Sequence, residues 1–309
     1  MTSNAAIVFP GQGSQSLGML AELAVDNALV TRTFAEASDA LGRDLWALSQ
    51  GGPEQELNRT DLTQPAMLAA GVAVWRVWKE RGGANPVCMA GHSLGEYTAL
   101  VCAEALDFAE AIRLVADRGR FMQEAVPEGQ GAMAALLGLD DNAVRQVCAS
   151  AAQGDVVEAV NFNAPGQVVV AGNVAAVERA VALAKEAGAK RAVALPVSVP
   201  SHCALMHPAS ERLAERLATV EVASPRIPVL HNVDATAATE PEAIRERLVR
   251  QLYSPVLWVD TVQALSGYGA TVLVECGPGK VLAGLARRID RSLDARPVYD
   301  PATLEKALA

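Results

Sequence analysis

The stretch 87–105, VCMAGHSLGEYTALVCAEA, restricts the architecture more than any other part of the chain. Val87-Cys88-Met89-Ala90 is a short apolar run of the buried-strand type. It breaks at Gly91-His92-Ser93-Leu94-Gly95 and resumes from Glu96 with the apolar spacing of a helix. A strand, a tight turn and a helix around G-x-S-x-G are the setting of a nucleophile elbow. The two glycines let strand and helix approach where side chains would collide. Ser93 is thereby pushed out at the carboxyl edge of a sheet with its hydroxyl free. The helix amides beneath it, at the positive end of the helix, suit an oxyanion. A Gly/Ser turn leading into an ordinary helix is the plainer reading of the same residues.

The alternation continues on both sides. Ala5–Phe9 reads as a strand, followed by the breaker-rich loop Pro10-Gly11-Gln12-Gly13-Ser14-Gln15. Amides of that loop could face an anion or a carbonyl oxygen. It is not a dinucleotide fingerprint, since Ser16 stands where a third glycine is required. Helical spacing covers 30–41 and 65–81, the latter opened by Thr63 and stopped by Gly82-Gly83. Phe108–Ala125 reads as a further helix, ended by Pro127. Strand and helix in turn predict a parallel sheet with crossover helices.

Near Gly129 the rhythm changes. Strands are expected at 132–137, 156–161, 167–171 and 191–195, with helices at 140–152 and 174–187. The order β-α-β-β-α-β is the ferredoxin-like pattern, which places an inserted small domain at 129–197. The larger unit, 1–128 and 198–309, then resumes with helices at 204–217, 241–252 and 259–266. Strands are expected at 227–232 and 271–276, the second followed by Gly277-Pro278-Gly279 and a helix to about Ile289.

Charge and cysteine content narrow the function. A net charge of −9 over 309 residues argues against nucleic-acid binding, which wants a basic face. The five cysteines at 88, 102, 148, 203 and 276 are widely spaced and form no C-x-x-C, so neither a disulfide framework nor a zinc site is expected. A reducing, cytoplasmic compartment fits that usage. No basic region with an apolar core opens the chain, and no apolar run of about 18 residues occurs, so no signal peptide and no membrane span are expected.

A serine nucleophile needs a base within hydrogen-bond reach, and only four histidines exist. His92 adjoins the serine and is expected to pack beside the site. His207 lies in a helical segment with Pro208. His231 ends an apolar strand, and His202 sits in the constrained loop Val199-Pro200-Ser201-His202-Cys203. Context leaves both His202 and His231 open as the base. Arg118, on the Phe108–Ala125 helix, is either a surface residue paired with Asp117 or Glu110, or a planar fork facing the elbow and suited to a carboxylate. Cys203 is a weaker nucleophile candidate than Ser93, since buried packing is the default for a thiol.

FPGQGSQ at 9–15, GHSLGEYTAL at 91–100, Arg118, NFNAPGQVVVAG at 161–172, PVSVPSHCALM at 196–206 and ECGPGKVL at 275–282 stand in one order. Together they resemble the bacterial malonyl-CoA:acyl carrier protein transacylases, stand-alone enzymes of type II fatty acid synthesis. The likeness runs over essentially the whole chain and is least diagnostic after Asp290. It implies an α/β-hydrolase-like large domain with the ferredoxin-like insert. It also implies Ser93 as the acylated nucleophile and His202 as its base, held by main-chain carbonyl contact at Gln251. Main-chain amides of Gln12 and Leu94 would form the oxyanion hole. Arg118 would clamp the malonyl carboxylate, with Gln12, His92 and Asn163 also contacting substrate. Ser201 before the histidine matches the stand-alone enzymes rather than polyketide synthase domains, and Cys276 replaces a common valine.

The resemblance implies two partners, malonyl-CoA and acyl carrier protein, and no cofactor. A monomer is expected. Carrier proteins of that pathway are acidic, so an acidic enzyme needs a local basic patch. Lys190-Arg191 and Arg287-Arg288 are the candidates. The rival is a serine thioesterase or esterase with His231 as base.

Overall fold

The computed structural model describes residues 4–197 and 199–309. Its strands are β1 (Ala5–Phe9), β2 (Cys88–Gly91), β3 (Gly131–Leu137), β4 (Val157–Ala164), β5 (Gln167–Asn173), β6 (Arg191–Ala194), β7 (Val229–Leu230), β8 (Val272–Cys276) and β9 (Asp294–Val298). They form a parallel sheet in the order β7-β2-β1-β8-β9 and an antiparallel sheet in the order β4-β5-β3-β6.

The parallel sheet is covered on both faces, which is why its strands read as unbroken apolar runs. Ile7, Phe9 and Met89 pack into one core. Ala6, Val8, Cys88 and Ala90 point the other way into a second. In register, Phe9 lies beside Gly91, Ala90 beside Leu230 and Val8 beside Glu275. The loops that follow β1, β2, β7 and β8 therefore leave the carboxyl edge of the sheet side by side. Ligands of open α/β sheets bind at that edge.

In the small sheet, the helices Asp141–Ala152 and Val174–Glu186 cover one face around Val144, Phe162, Val168 and Val177. The side chain of Asp140 caps the first helix by accepting from the Ala143 amide at 2.8 Å. The opposite face, with Met133, Val160, Val169 and Ala171, packs on Cys203 of the large unit. Main-chain bonds between Phe162 and Val256, and between Val256 and Val160, tie the two units together. The expected βαββαβ run occupies 131–194; residue 198, where the large unit was expected to resume, lies outside the described residues.

Four local expectations are corrected. The helix expected from Pro65 begins at Thr60, because Thr63 bonds the Leu57 and Arg59 carbonyls and starts the helix before the proline. The strand expected at 227–232 shrinks to Val229–Leu230: Pro228 has no N–H to give, and His231 and Asn232 turn their polar groups to Glu96. The helix expected at 204–217 opens as a tighter turn, Ala204–Met206, before His207–Leu217. After Ile289 the chain adds β9 and a helix, Pro301–Leu308, where no element was expected. Proline and charge in β9 are tolerated because it is an edge strand.

Candidate active site

Ser93 lies at the junction of β2 and the helix Leu94–Cys102, with φ 52° and ψ −107°. That conformation costs a non-glycine residue energy and persists only where its surroundings enforce it. Here they do. A Cβ at Gly91 would lie 1.9 Å from the Gly95 carbonyl carbon, and one at Gly95 would lie 2.1 Å from Phe9 O. The Ser93 amide donates to Asn232 Oδ1 at 2.7 Å, and Asn232 Nδ2 donates to Gly91 O at 2.7 Å. The turn is thus clamped from β7 as well as from within.

His202 Nε2 is 2.8 Å from Ser93 Oγ, and Nδ1 is 2.6 Å from the main-chain carbonyl of Gln251. A carbonyl can only accept, so Nδ1 carries the proton and Nε2 is left to accept the serine hydroxyl. Burial, then the charge of Arg118, push the His202 pKa down to about 3, against the opposing bond to Gln251. The imidazole is therefore neutral at neutral pH and available as a base.

Arg118 is 1% exposed, which corrects the reading of a surface residue. Asp117 instead pairs with Arg120 and Arg216, and Glu110 with Arg113 and Arg216. The guanidinium donates from Nη1 to Gln64 Oε1 at 2.8 Å and from Nη2 to Gln251 Oε1 at 3.0 Å. Nη2 also reaches Ser93 Oγ at 3.3 Å, and Nε has no partner. Burial lowers the Arg118 pKa from its ordinary value. No acidic group among the described residues comes within ion-pair distance. A buried cation with an unused donor and no counter-ion is suited to an incoming carboxylate.

These groups line one cavity of about 210 Å³, together with Gln12, His92, Leu94 and Asn163. Its walls include Met122, Met133 and Val199. The Gln12 loop is pressed against the elbow, since a Cβ at Gly11 would lie 2.4 Å from His92 O. Among the described residues the main-chain N–H groups of Gln12 and Leu94 have no hydrogen-bond partner. His92 Nε2 lies 2.8 Å from Asn163 Oδ1, and its ring leans on Trp258 with centroids 5.4 Å apart.

The other candidates lie elsewhere. His231 is fully buried and donates from Nδ1 to Glu96 Oε1 at 2.8 Å, so it does not serve Ser93. His207 stacks on Tyr253 at 4.2 Å. All five thiols are free and buried, and desolvation pushes Cys203 up to about 12. Among the described residues no cluster of three or more His, Cys, Asp or Glu could hold a metal ion. No helix among them is long and apolar enough to cross a membrane.

Gln64, Glu96, Asn232 and Glu275 escaped the sequence reading. Their signal was a polar side chain inside an apolar segment, as in TQPAMLAA and GEYTALV. Glu275 accepts from the amides of Leu282 and Ala283 and so fixes the helix Val281–Ile289 beside the cavity.

The acyl transferase domain family model matches residues 6–299. Malonyl CoA-acyl carrier protein transacylase of Salmonella typhimurium is 59% identical over 303 residues, covering 98% of each chain. An acyl carrier protein S-malonyltransferase from Vibrio cholerae superposes with a TM-score of 0.96 at 59% identity, covering 98% of this chain and 99% of that one. A malonyl-transacylase solved in complex with its type II polyketide acyl-carrier protein superposes with a TM-score of 0.98, also at 59% identity and covering 99% of each chain.

Proposed function

We propose, for a chain that belongs to the acyl transferase domain family, transfer of a malonyl group from malonyl-CoA to the phosphopantetheine thiol of acyl carrier protein. It is an [acyl-carrier-protein] S-malonyltransferase that supplies extender units for fatty acid synthesis. The observation that carries the reading is the shared hydroxyl: His202 Nε2 and Arg118 Nη2 both reach Ser93 Oγ, at 2.8 and 3.3 Å. A plain esterase has no use for a buried cation at that point.

The cycle is ping-pong. His202 Nε2 takes the Ser93 proton as Oγ attacks the thioester carbonyl carbon. The oxyanion is met by the Gln12 and Leu94 amides. As the carbon–sulfur bond breaks, His202 returns the proton to the departing CoA sulfur, leaving malonyl-Ser93. The carrier thiol then gives its proton to His202, attacks the ester, and Ser93 is released with the proton restored. Only a proton and an acyl group move, so the cycle balances without a metal or redox cofactor. Throughout, Arg118 pairs with the malonyl carboxylate, and Gln12, His92 and Asn163 line its surroundings.

The carrier protein docks on the exposed basic pairs Lys190-Arg191 and Arg287-Arg288. The first opens edge strand β6, whose following residues Leu195 and Val197 line the cavity. In the second, Arg288 reaches Gln167 and the Pro165 carbonyl across the two units. The test is incubation with malonyl-CoA, with and without carrier protein. Malonyl-carrier formation is the expected product, and hydrolysis to malonate without transfer would favour the thioesterase. The bond from His231 to Glu96 already counts against that rival.

A further inference from the structure

The catalytic cycle leaves two fully buried carboxylates unused, Glu275, which holds the Leu282 and Ala283 amides, and Glu96, which lies beside the reacting groups. Glu96, on the first turn of the helix Leu94–Cys102, is 0% exposed. Oε1 accepts from His231 Nδ1 at 2.8 Å. Oε2 accepts from the Asn232 amide and from Gln251 Nε2, each at 2.8 Å.

Gln251 connects that carboxylate to the reacting groups. Its side-chain oxygen faces Arg118 Nη2 at 3.0 Å, while Nε2 faces Glu96 and also lies 3.1 Å from Ser93 O. An amide between a guanidinium and a carboxylate has one satisfactory orientation, oxygen toward the cation and N–H toward the anion. Turning it over would set donors against donors and acceptors against acceptors, which is costly in a buried site. The main-chain carbonyl of the same residue holds His202 Nδ1 at 2.6 Å. Arg118 is otherwise held by Gln64, whose Oε1 accepts from Nη1, and by the Tyr97 ring, whose centroid lies 5.3 Å from the guanidinium carbon. Glu96 also opposes the burial that lowers the Arg118 pKa.

We propose that Glu96 is a positioning residue that, through the side-chain amide of Gln251, keeps Arg118 aimed at Ser93 and so sets the preference for acyl groups carrying a free carboxylate. The inference rests on the malonyl-transfer reading, and the two are separable. Base function is served by the Gln251 main chain, which no substitution removes, whereas carboxylate recognition is served by its side chain. Damage to the amide relay therefore falls on malonyl and spares acetyl. Supporting groups of this kind are worth about 10- to 100-fold where they orient metal ligands.

The test compares single-turnover loading of Ser93 from malonyl-CoA and from acetyl-CoA in the full chain and in Glu96→Gln and Gln251→Met. Malonyl loading of the unaltered chain tests the transfer reading by itself; its absence there overturns that reading, whatever the variants do. For the inference, the expected result is a fall of about tenfold or more in the malonyl-over-acetyl ratio in both variants, with acetyl loading by Glu96→Gln within about threefold of the unaltered chain. Equal losses for the two acyl groups would show a structural role and overturn the proposal. A ratio that rises in Glu96→Gln would overturn it too, because Glu96 would then act as a distant charge opposing the substrate carboxylate. If Glu96→Gln fails to fold, the ratio in Gln251→Met decides alone by the same criterion.

Discussion

Arg118 Nη2 lies 3.3 Å from Ser93 Oγ, so the guanidinium proposed to read a carboxylate and the hydroxyl proposed to attack the thioester are neighbours in space. They stand on different helices, Phe108–Ala125 and the start of Leu94–Cys102. The consequence is a buried cation beside the elbow hydroxyl that has no acidic side chain within ion-pair distance among the described residues.

Arg118→Ala therefore lowers malonyl transfer by about 10³-fold or more while acetyl transfer falls far less, since a site built around a polar partner rejects the substrate that lacks it. Steady-state transfer with both acyl-CoAs measures this. Equal losses would show that Arg118 only supports the fold.

The depressed pKa of His202 has a pH signature. The protonated ring cannot accept the Ser93 proton, so loading persists down through pH 5 instead of failing near the ordinary histidine value of about 6.5. Removing the charge of Arg118 moves the acid limb upward. Stability follows the same linkage: the unfolded chain binds the proton first, so the contribution is full above about pH 6.5 and is lost as pH falls toward 3. Pre-steady-state loading across pH, with and without Arg118→Ala, measures the limb.

The close approach of strand and helix at the elbow leaves no space for a methyl group. Gly91→Ala puts a Cβ 1.9 Å from the Gly95 carbonyl carbon, backbone against backbone. Destabilisation of more than about 3 kcal/mol is expected, at the upper end for single substitutions, and denaturant unfolding measures it. Asn232→Ala leaves the Ser93 amide and Gly91 carbonyl without partners and costs about 2–4 kcal/mol.

Charge reversal at Lys190-Arg191 or Arg287-Arg288 slows transfer to carrier protein, more strongly at low salt, and leaves loading from malonyl-CoA unchanged. Measuring the two half-reactions separately tests it. A loss confined to loading would remove these pairs from the docking surface.

Much of this molecule could be read from its sequence, and the exceptions share a physical cause. The elbow glycines, the βαββαβ run and the Phe108–Ala125 helix declare themselves locally, through sterics and periodicity. The choice between His202 and His231 does not. Its deciding contact is a main-chain carbonyl at Gln251, which every residue type possesses. The burial of Arg118 depends on which face of its helix meets Gln64, on another helix. Glu96 was hidden because a lone carboxylate in an apolar helix gives no hint of its partners. The final helix was legible in principle: Asp300 and Thr303 form a reciprocal capping box, with Pro301 at the first position.

The central claim is a covalent acyl group on one hydroxyl. Intact-mass measurement after brief mixing with malonyl-CoA, followed by peptide mapping, reads it directly. One malonyl group per chain is expected, located on Ser93, discharged on addition of carrier protein and absent in Ser93→Ala. A chain that forms malonyl-carrier protein without ever carrying the acyl group, or that carries it on another residue, would contradict the account.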